Sequence, residues 1–194
     1  MPDPFVIPRR AVRWIRTQLI AWYWRRLGKR IENPPIPRSI GSILFVCTGN
    51  VCRSPFAEGY VKKMAECRNL REVRSVSAGL DVRISAPSPD IAVQVAKTFA
   101  VDMKDHRSKP ITAEMVKDND IIFAMEHHQA AILRQMFPNH RPKILLLPLF
   151  DSESSKKADS FLRYNIPDPF GKSQEHFMGC FRRIAKCMDG FMAR

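Results

Sequence analysis

The amino-acid sequence predicts an α/β fold, a doubly wound four-stranded parallel sheet with helices on both faces. Three observations carry this expectation. Four short apolar segments read as strands: "ILFV" (43–46), "VRSVSAG" (73–79), "DIIFAM" (120–125) and "KILLLP" (143–148). Helical stretches separate them, the pattern of a sheet covered on both sides. Right-handed crossovers then set helices above and below the sheet, and ligands in such folds bind beyond the carboxyl ends of the strands.

The helices have readable boundaries. Pro55–Cys67 is expected as a helix, with Ser54 as N-cap and Pro55 at the first helical position. "SPDIAVQVAKTFA" (88–100) again opens with Ser and Pro. "HHQAAILRQMF" (127–137) is stopped by Pro138. Residues 148–172 read as loop, and Ser173 to Met192 as a long closing helix.

Ahead of the sheet lies a different kind of sequence. Residues 1–40 hold nine basic and two acidic residues, a net +7 within a chain of formal charge +13. "RRAVRWIRTQLIAWYWRRLGKR" (9–30) lacks Pro and spaces Val12, Ile15, Leu19 and Trp22 as a helix would. Its apolar run, Leu19–Trp24, is six residues, far short of the roughly 20 needed to span a bilayer. Trp and Tyr beside Arg suit an anionic membrane interface, a partner protein's groove, or packing on the chain's own domain. Asp3 and the opening "MPDPFVIP" argue against a mitochondrial presequence. "NPPIPRS" (33–39) reads as a linker, so the expected division is an extension over 1–40 and a domain over 41–194.

Five cysteines, an odd number, are too few for a secreted disulfide scaffold. They point to a reducing compartment, the cytoplasm. The positive field attracts anions in general, but the core carries no nucleic-acid-binding motif, so nucleic acid is not expected as a partner.

The chemistry concentrates in "SILFVCTGNVCRSP" (42–55). Zinc is disfavoured, because Cys47-x4-Cys52 has no matching second pair; no metal or cofactor is expected. A nucleophile fits better. The loop Cys47, Thr48, Gly49, Asn50, Val51, Cys52, Arg53 can curl so that its backbone N–H groups face an oxyanion. The helix that follows adds its positive end, and Arg53 offers a planar fork for two phosphate oxygens. The same features favour a thiolate at Cys47. Gly49 and Asn50 best tolerate the positive φ of a tight cradle. Phosphoryl transfer through cysteine also requires an acid for the leaving oxygen. Asp168, stiffened between Pro167 and Pro169 in "YNIPDPFGKS" (164–173), is the candidate, with Phe170 as a wall for an aromatic ring.

These residues resemble the low-molecular-weight protein tyrosine phosphatase family. "VCTGNVCRSPFAE" resembles its signature loop and first helix. "SAG" (77–79), "DHRSKPIT" (105–112), "DIIFAM" (120–125) and "IPDPFGKS" (166–173) resemble its later landmarks, in order, over residues 42–192. The last block looks like the bacterial branch. The resemblance implies the phosphotyrosine protein phosphatase I-like sheet, of flavodoxin-like topology. It implies that Cys47 attacks phosphorus, that Arg53 and the loop amides hold the phosphoryl oxygens, and that Asp168 acts as general acid and then base. Ser54 would bond the sulfur, Ser77 and His106 would support Asn50, and Cys52 would be able to form a reversible disulfide with Cys47. The implied partner is a phosphotyrosine protein, such as a tyrosine autokinase of exopolysaccharide export. The chain departs from the family in its basic extension and in the loop "LDVRISAPSPD" (80–90). There Val82, Arg83 and Ile84 stand where many members carry a large aromatic, and Arg83 would favour acidic sequence around the phosphotyrosine.

Two rivals follow from the same residues. A thioredoxin-coupled arsenate reductase resembles the same loop but needs two relay cysteines. Here the third strand runs into Met125-Glu126-His127, and Cys180 and Cys187 sit about two helical turns apart. The other rival is a non-catalytic basic module bound to membrane or nucleic acid.

Overall fold

The computed structural model describes residues 19, 22–24, 26, 31–68, 73–151 and 161–193. Four parallel strands form one sheet: β1 (Ser42–Cys47), β2 (Arg74–Gly79), β3 (Ile121–Ala124) and β4 (Ile144–Leu146), in the order β2-β1-β3-β4. All six residues of β1 are buried, as are all of β3 and β4, which is why these strands carry no polar alternation. Asp120 fixes the start of β1: its carboxylate accepts from Gly41 N at 2.9 Å and Ser42 N at 3.0 Å. The Gly41 bond leads the effects that hold its pKa below the usual carboxylate value.

The helices are α1 (Arg53–Arg68), α2 (Asp90–Lys97), α3 (Ala113–Lys117), α4 (His127–Met136), α5 (Phe161–Tyr164) and α6 (Gln174–Met192). One face of the sheet packs on α1, α2 and α6. Phe56 of α1 stacks on Phe181 of α6 at 4.0 Å between ring centroids, and both are fully buried. Burying an aromatic side chain of this size contributes about 1.5–3 kcal/mol. The other face buries Leu44, Val46, Ile122 and Ala124 against Val116, Ala130, Leu133 and Tyr164.

Several boundaries differ from the sequence expectation. Helix α1 starts at Arg53, with Phe56 N bonded to Cys52 O at 3.3 Å, so Ser54 is inside the helix rather than its N-cap. Its hydroxyl is occupied at the cysteine instead. Pro89, not Ser88, precedes α2, and α2 ends at Lys97. Helix α3 was not foreseen; Thr112 Oγ1 caps it by accepting from Met115 N at 3.2 Å. The region expected as loop after β4 contains a 3-10 turn, Leu147–Phe150, and the short α5.

The first forty residues contribute to the packing where they are described. Trp24 and Ile31 are buried with the second face of the sheet. Asn33 pairs with the edge strand β4: its Nδ2 donates to Leu146 O at 3.0 Å and its Oδ1 accepts from Leu146 N at 2.6 Å. The side-chain amide thus satisfies both backbone groups of Leu146, as a neighbouring strand would. Most of 9–30, including the basic residues Arg9, Arg10, Arg13 and Arg16, lies outside the described residues.

Candidate active site

The loop between β1 and α1 closes around Cys47. Asn50 N donates to Cys47 Sγ at 3.2 Å, and Ser54 Oγ lies 3.1 Å from the same sulfur. Asn50 has φ of 53°, whereas Gly49 does not adopt a positive φ, so Asn50 alone makes the left-handed turn in this loop.

A directed hydrogen-bond chain supports Asn50. Lys109 N donates to its Oδ1 at 3.0 Å, which orients the amide. Its Nδ2 then donates to Ser54 Oγ and Ser77 Oγ, both at 2.9 Å. Ser77 Oγ in turn donates to Glu58 Oε2 at 2.7 Å. With an Asn50 N–H directed at its oxygen, Ser54 has its own proton to give, either to the Cys47 sulfur at 3.1 Å or to Ala78 O at 3.4 Å. His106 Nε2 donates to the Asn50 carbonyl at 2.7 Å. Burial, the leading effect, holds the His106 pKa below its usual value, consistent with a neutral ring. Gly79 lies beneath the loop: a Cβ there would come within 2.8 Å of Thr48 O. That close approach gives a physical reason for glycine in "SAG".

Arg53 is 1% exposed and carries three acceptors. Its Nη2 meets Asp168 Oδ2 at 2.7 Å, and its Nη1 meets Glu126 Oε2 at 2.8 Å and Ile166 O at 3.0 Å. Burial alone would lower the guanidinium pKa, but Cys47, Asp168 and Glu126 outweigh it and the pKa is raised. Arg53 Nε is buried and has no hydrogen-bond partner among the described residues, leaving a donor for an incoming oxyanion. Asp168 is half-buried, and Phe170 N donates to its Oδ1 at 3.1 Å, which helps aim the carboxylate.

Sequence reasoning missed three members of this assembly. Glu126 anchors Arg53. Gln129 accepts from Met125 N at 3.1 Å and donates to Glu126 at 2.9 Å and Thr48 Oγ1 at 3.2 Å, tying Glu126 to the phosphate loop. Glu58 was visible within "FAE", but its bond to Ser77 was not anticipated. The available signal for Glu126 was its position: an acidic residue just past the carboxyl end of an all-apolar strand, where doubly wound sheets place their ligands.

The remaining candidates sit around this core. Cys52 is buried, and burial chiefly pushes its thiol pKa far up. Phe170 is 61% exposed. Arg83 is 90% exposed and lies 3.5 Å from Asp81, on a loop that begins with Leu80 N and Asp81 N bonded to Cys47 O and Thr48 O. Ile84 on the same loop is also exposed. Cys180 and Cys187 are buried in α6, and burial chiefly pushes both thiols up to about 12. Among the described residues, no group of three or more His, Cys, Asp or Glu is arranged to hold a metal ion.

The family model of low molecular weight phosphotyrosine protein phosphatase matches residues 42–194. The chain belongs to this family. A low molecular weight protein-tyrosine-phosphatase, Etp of Escherichia coli K12, is 35% identical over 148 residues, covering 75% of this chain and 90% of the relative. The crystal structure of the Erwinia amylovora tyrosine phosphatase AmsI superposes with a TM-score of 0.70 at 26% identity, over 83% of this chain and 97% of that one. Vibrio vulnificus Wzb in complex with benzylphosphonate matches with a TM-score of 0.67 at 29% identity, over 80% of this chain and 99% of that one. As a member of this phosphatase family, the protein is a phosphoric monoester hydrolase. The binding-only reading is overturned by that membership. Residues 1–41 precede the matched segment, and no helix among the described residues is long and apolar enough to cross a membrane.

Proposed function

We propose that the protein hydrolyses phosphotyrosine in proteins through a cysteinyl-phosphate intermediate. The observation that carries the reading is the joining of nucleophile, clamp and acid in one assembly: Asn50 N–H on Cys47 Sγ at 3.2 Å, and Arg53 on Asp168 at 2.7 Å. The phosphoryl dianion enters the ring of loop amides and takes up the Arg53 donors, weakening the Arg53–Asp168 pair. The Cys47 thiolate attacks phosphorus as the bond to the tyrosine oxygen breaks. Asp168, protonated, gives its proton to that oxygen. Arg53 and the amides hold the equatorial oxygens throughout, where charge accumulates in the transition state. Asp168 then takes a proton from water as the water oxygen attacks phosphorus. The S–P bond breaks, Ser54 O–H stabilises the departing sulfur, and inorganic phosphate leaves.

Phe170 and the loop bearing Arg83 and Ile84 flank the entering tyrosine in this reading. Arg83 favours acidic flanking residues, and kinetics on neutral against acidic phosphopeptides with Arg83→Ala test that. Cys52 serves as a redox partner. Peroxide oxidises Cys47 to a sulfenic acid, and the Cys52 thiol condenses with it to a disulfide, releasing water.

The physiological substrate is a phosphotyrosine protein of the tyrosine-autokinase kind acting in exopolysaccharide regulation, as similarity to the bacterial branch supports. The chain divides into the extension 1–40 and the phosphatase domain 41–194. It acts in the cytoplasm, held at the anionic inner face of the membrane by the basic, Trp-rich residues 9–30. Exposed Leu19, Trp22 and Tyr23 supply apolar contact, and Arg26 lies over the Trp22 ring at 5.6 Å.

The deciding experiment is hydrolysis of p-nitrophenyl phosphate and a tyrosine phosphopeptide, with phosphate release lost in Cys47→Ser. An inactive wild-type chain would overturn the reading. Full-length Cys47→Ser used as a substrate trap identifies the retained phosphoprotein. Flotation with anionic vesicles tests the membrane assignment, which fails if binding is absent at low salt.

A further inference from the structure

The buried Trp24 belongs to the segment that precedes the family match, yet it packs directly behind the catalytic assembly. Its ring stacks on Tyr164 at 5.4 Å with 15° between planes. It meets His127 edge-on at 5.7 Å and Phe161 edge-on at 5.7 Å. Only 8% of Trp24 is exposed, whereas its helical neighbours Trp22 and Tyr23 are exposed.

The walls of this slot adjoin the residues that hold Arg53. His127 follows Glu126, the carboxylate on Arg53 Nη1. Tyr164 stands two residues before Ile166, whose carbonyl also accepts from Arg53 Nη1, and four before Asp168. Asn165 links the two walls: it forms an antiparallel bridge with Glu126, and its Oδ1 accepts from His127 N at 3.0 Å. From the other side, Arg183 of α6 donates to Asn165 O at 2.7 Å and to Leu162 O. The 161–168 segment is therefore gripped between α6 and Trp24. Asn33, bonded to both backbone groups of Leu146, ties the same extension to the sheet a second time.

We propose that Trp24 is a positioning residue for the phosphatase reaction. It acts through His127 and Tyr164 to hold Glu126, the Ile166 carbonyl and the Asp168 loop where Arg53 requires them. The extension then completes the support of the active site in addition to any binding of its own. A side chain held by three acceptors on two chain segments loses its aim when those segments shift, and displacement of about 1 Å in a catalytic assembly costs up to about a hundredfold in rate.

The proposal rests on the phosphatase reading, which wild-type hydrolysis of p-nitrophenyl phosphate checks independently. The test compares full-length wild type, Trp24→Ala, Trp24→Phe and Met136→Ala, each assayed well below its own Tm. In Trp24→Ala, kcat falls about tenfold and the inhibition constant of inorganic phosphate rises several-fold, because Arg53 loses its orientation. Trp24→Phe keeps a ring against Tyr164 and recovers most of both. Met136→Ala, altering an exposed residue at the far end of the helix that His127 begins, leaves both unchanged. A folded Trp24→Ala with wild-type kcat and phosphate inhibition overturns the proposal, since a purely structural anchor would lower Tm alone. If Trp24→Ala does not fold, Trp24→Leu decides: it keeps apolar bulk without a stacking ring, and unaltered kinetics there overturn the proposal equally.

Discussion

Arg53 Nη2 and Asp168 Oδ2 lie 2.7 Å apart, so the proposed phosphate clamp and the proposed general acid are bound to each other. Phosphate binding must compete with that pair. Asp168→Asn removes the competing carboxylate and a negative charge facing the incoming dianion. It also removes the proposed proton donor. The expected result is tighter competitive inhibition by phosphate or vanadate together with a kcat lower by about 10²–10⁴. Weaker oxyanion binding in this variant would show that Asp168 does not compete for Arg53.

Glu126 is the second carboxylate on Arg53, and its side chain is 12% exposed. Glu126→Ala leaves Arg53 Nη1 with only the Ile166 carbonyl and deprives Gln129 of an acceptor. Stability should fall by about 2 kcal/mol, as for loss of a hydrogen bond to a charged group. The kcat/KM for p-nitrophenyl phosphate should fall at least tenfold. Glu126→Gln keeps an acceptor oxygen for Arg53 Nη1 and should lie between. Urea unfolding and steady-state kinetics on the three proteins check the order.

Asn50 combines a φ of 53° with hydrogen bonds to Ser54, Ser77 and Lys109. Asn50→Gly removes the bonds but adopts this φ freely; Asn50→Ala removes the bonds and strains the backbone. Alanine should therefore be less stable than glycine by about 1 kcal/mol. Both should reduce activity. Equal stability of the two in chemical denaturation would mean that the turn relaxes when the bonds are lost.

His106 should shape the pH dependence of stability. Burial depresses its folded-state pKa below the reference 6.5; Glu58 opposes the shift, and Lys109 and Lys62 reinforce it. A depressed histidine pKa means that the unfolded chain binds more protons in the window between the two values. The contribution is present above pH 6.5 and is lost as pH falls through the folded-state pKa. Tm should drop on acidification below 6.5 more steeply in wild type than in His106→Asn, and the His106 ring signals in NMR should titrate below 6.5. Titration above that value contradicts the assignment.

The sheet was legible in the sequence because buried parallel strands are apolar on both faces, and Ile43, Phe45, Ile121 and Phe123 declare this without context. Helix starts were less legible. Ser54 has the chemistry of an N-cap, but its hydroxyl serves the cysteine and asparagine, and the helix begins at Arg53, two residues before the expected Pro55. Thr112 has the same chemistry and does cap a helix, which the short α3 concealed.

The sequence by itself determined the residues from which the proposed chemistry is read: a cysteine at the end of an apolar strand, an arginine six residues on, and an aspartate between two prolines far along the chain. Those are local features, set by residue type and spacing. Only the tertiary structure decided what surrounds them. Glu126 faces Arg53 because β3 lies beside β1, and Trp24 reaches Tyr164 from 140 positions away in the chain. Such contacts depend on strand order and packing, which leave no periodicity in the sequence to be read.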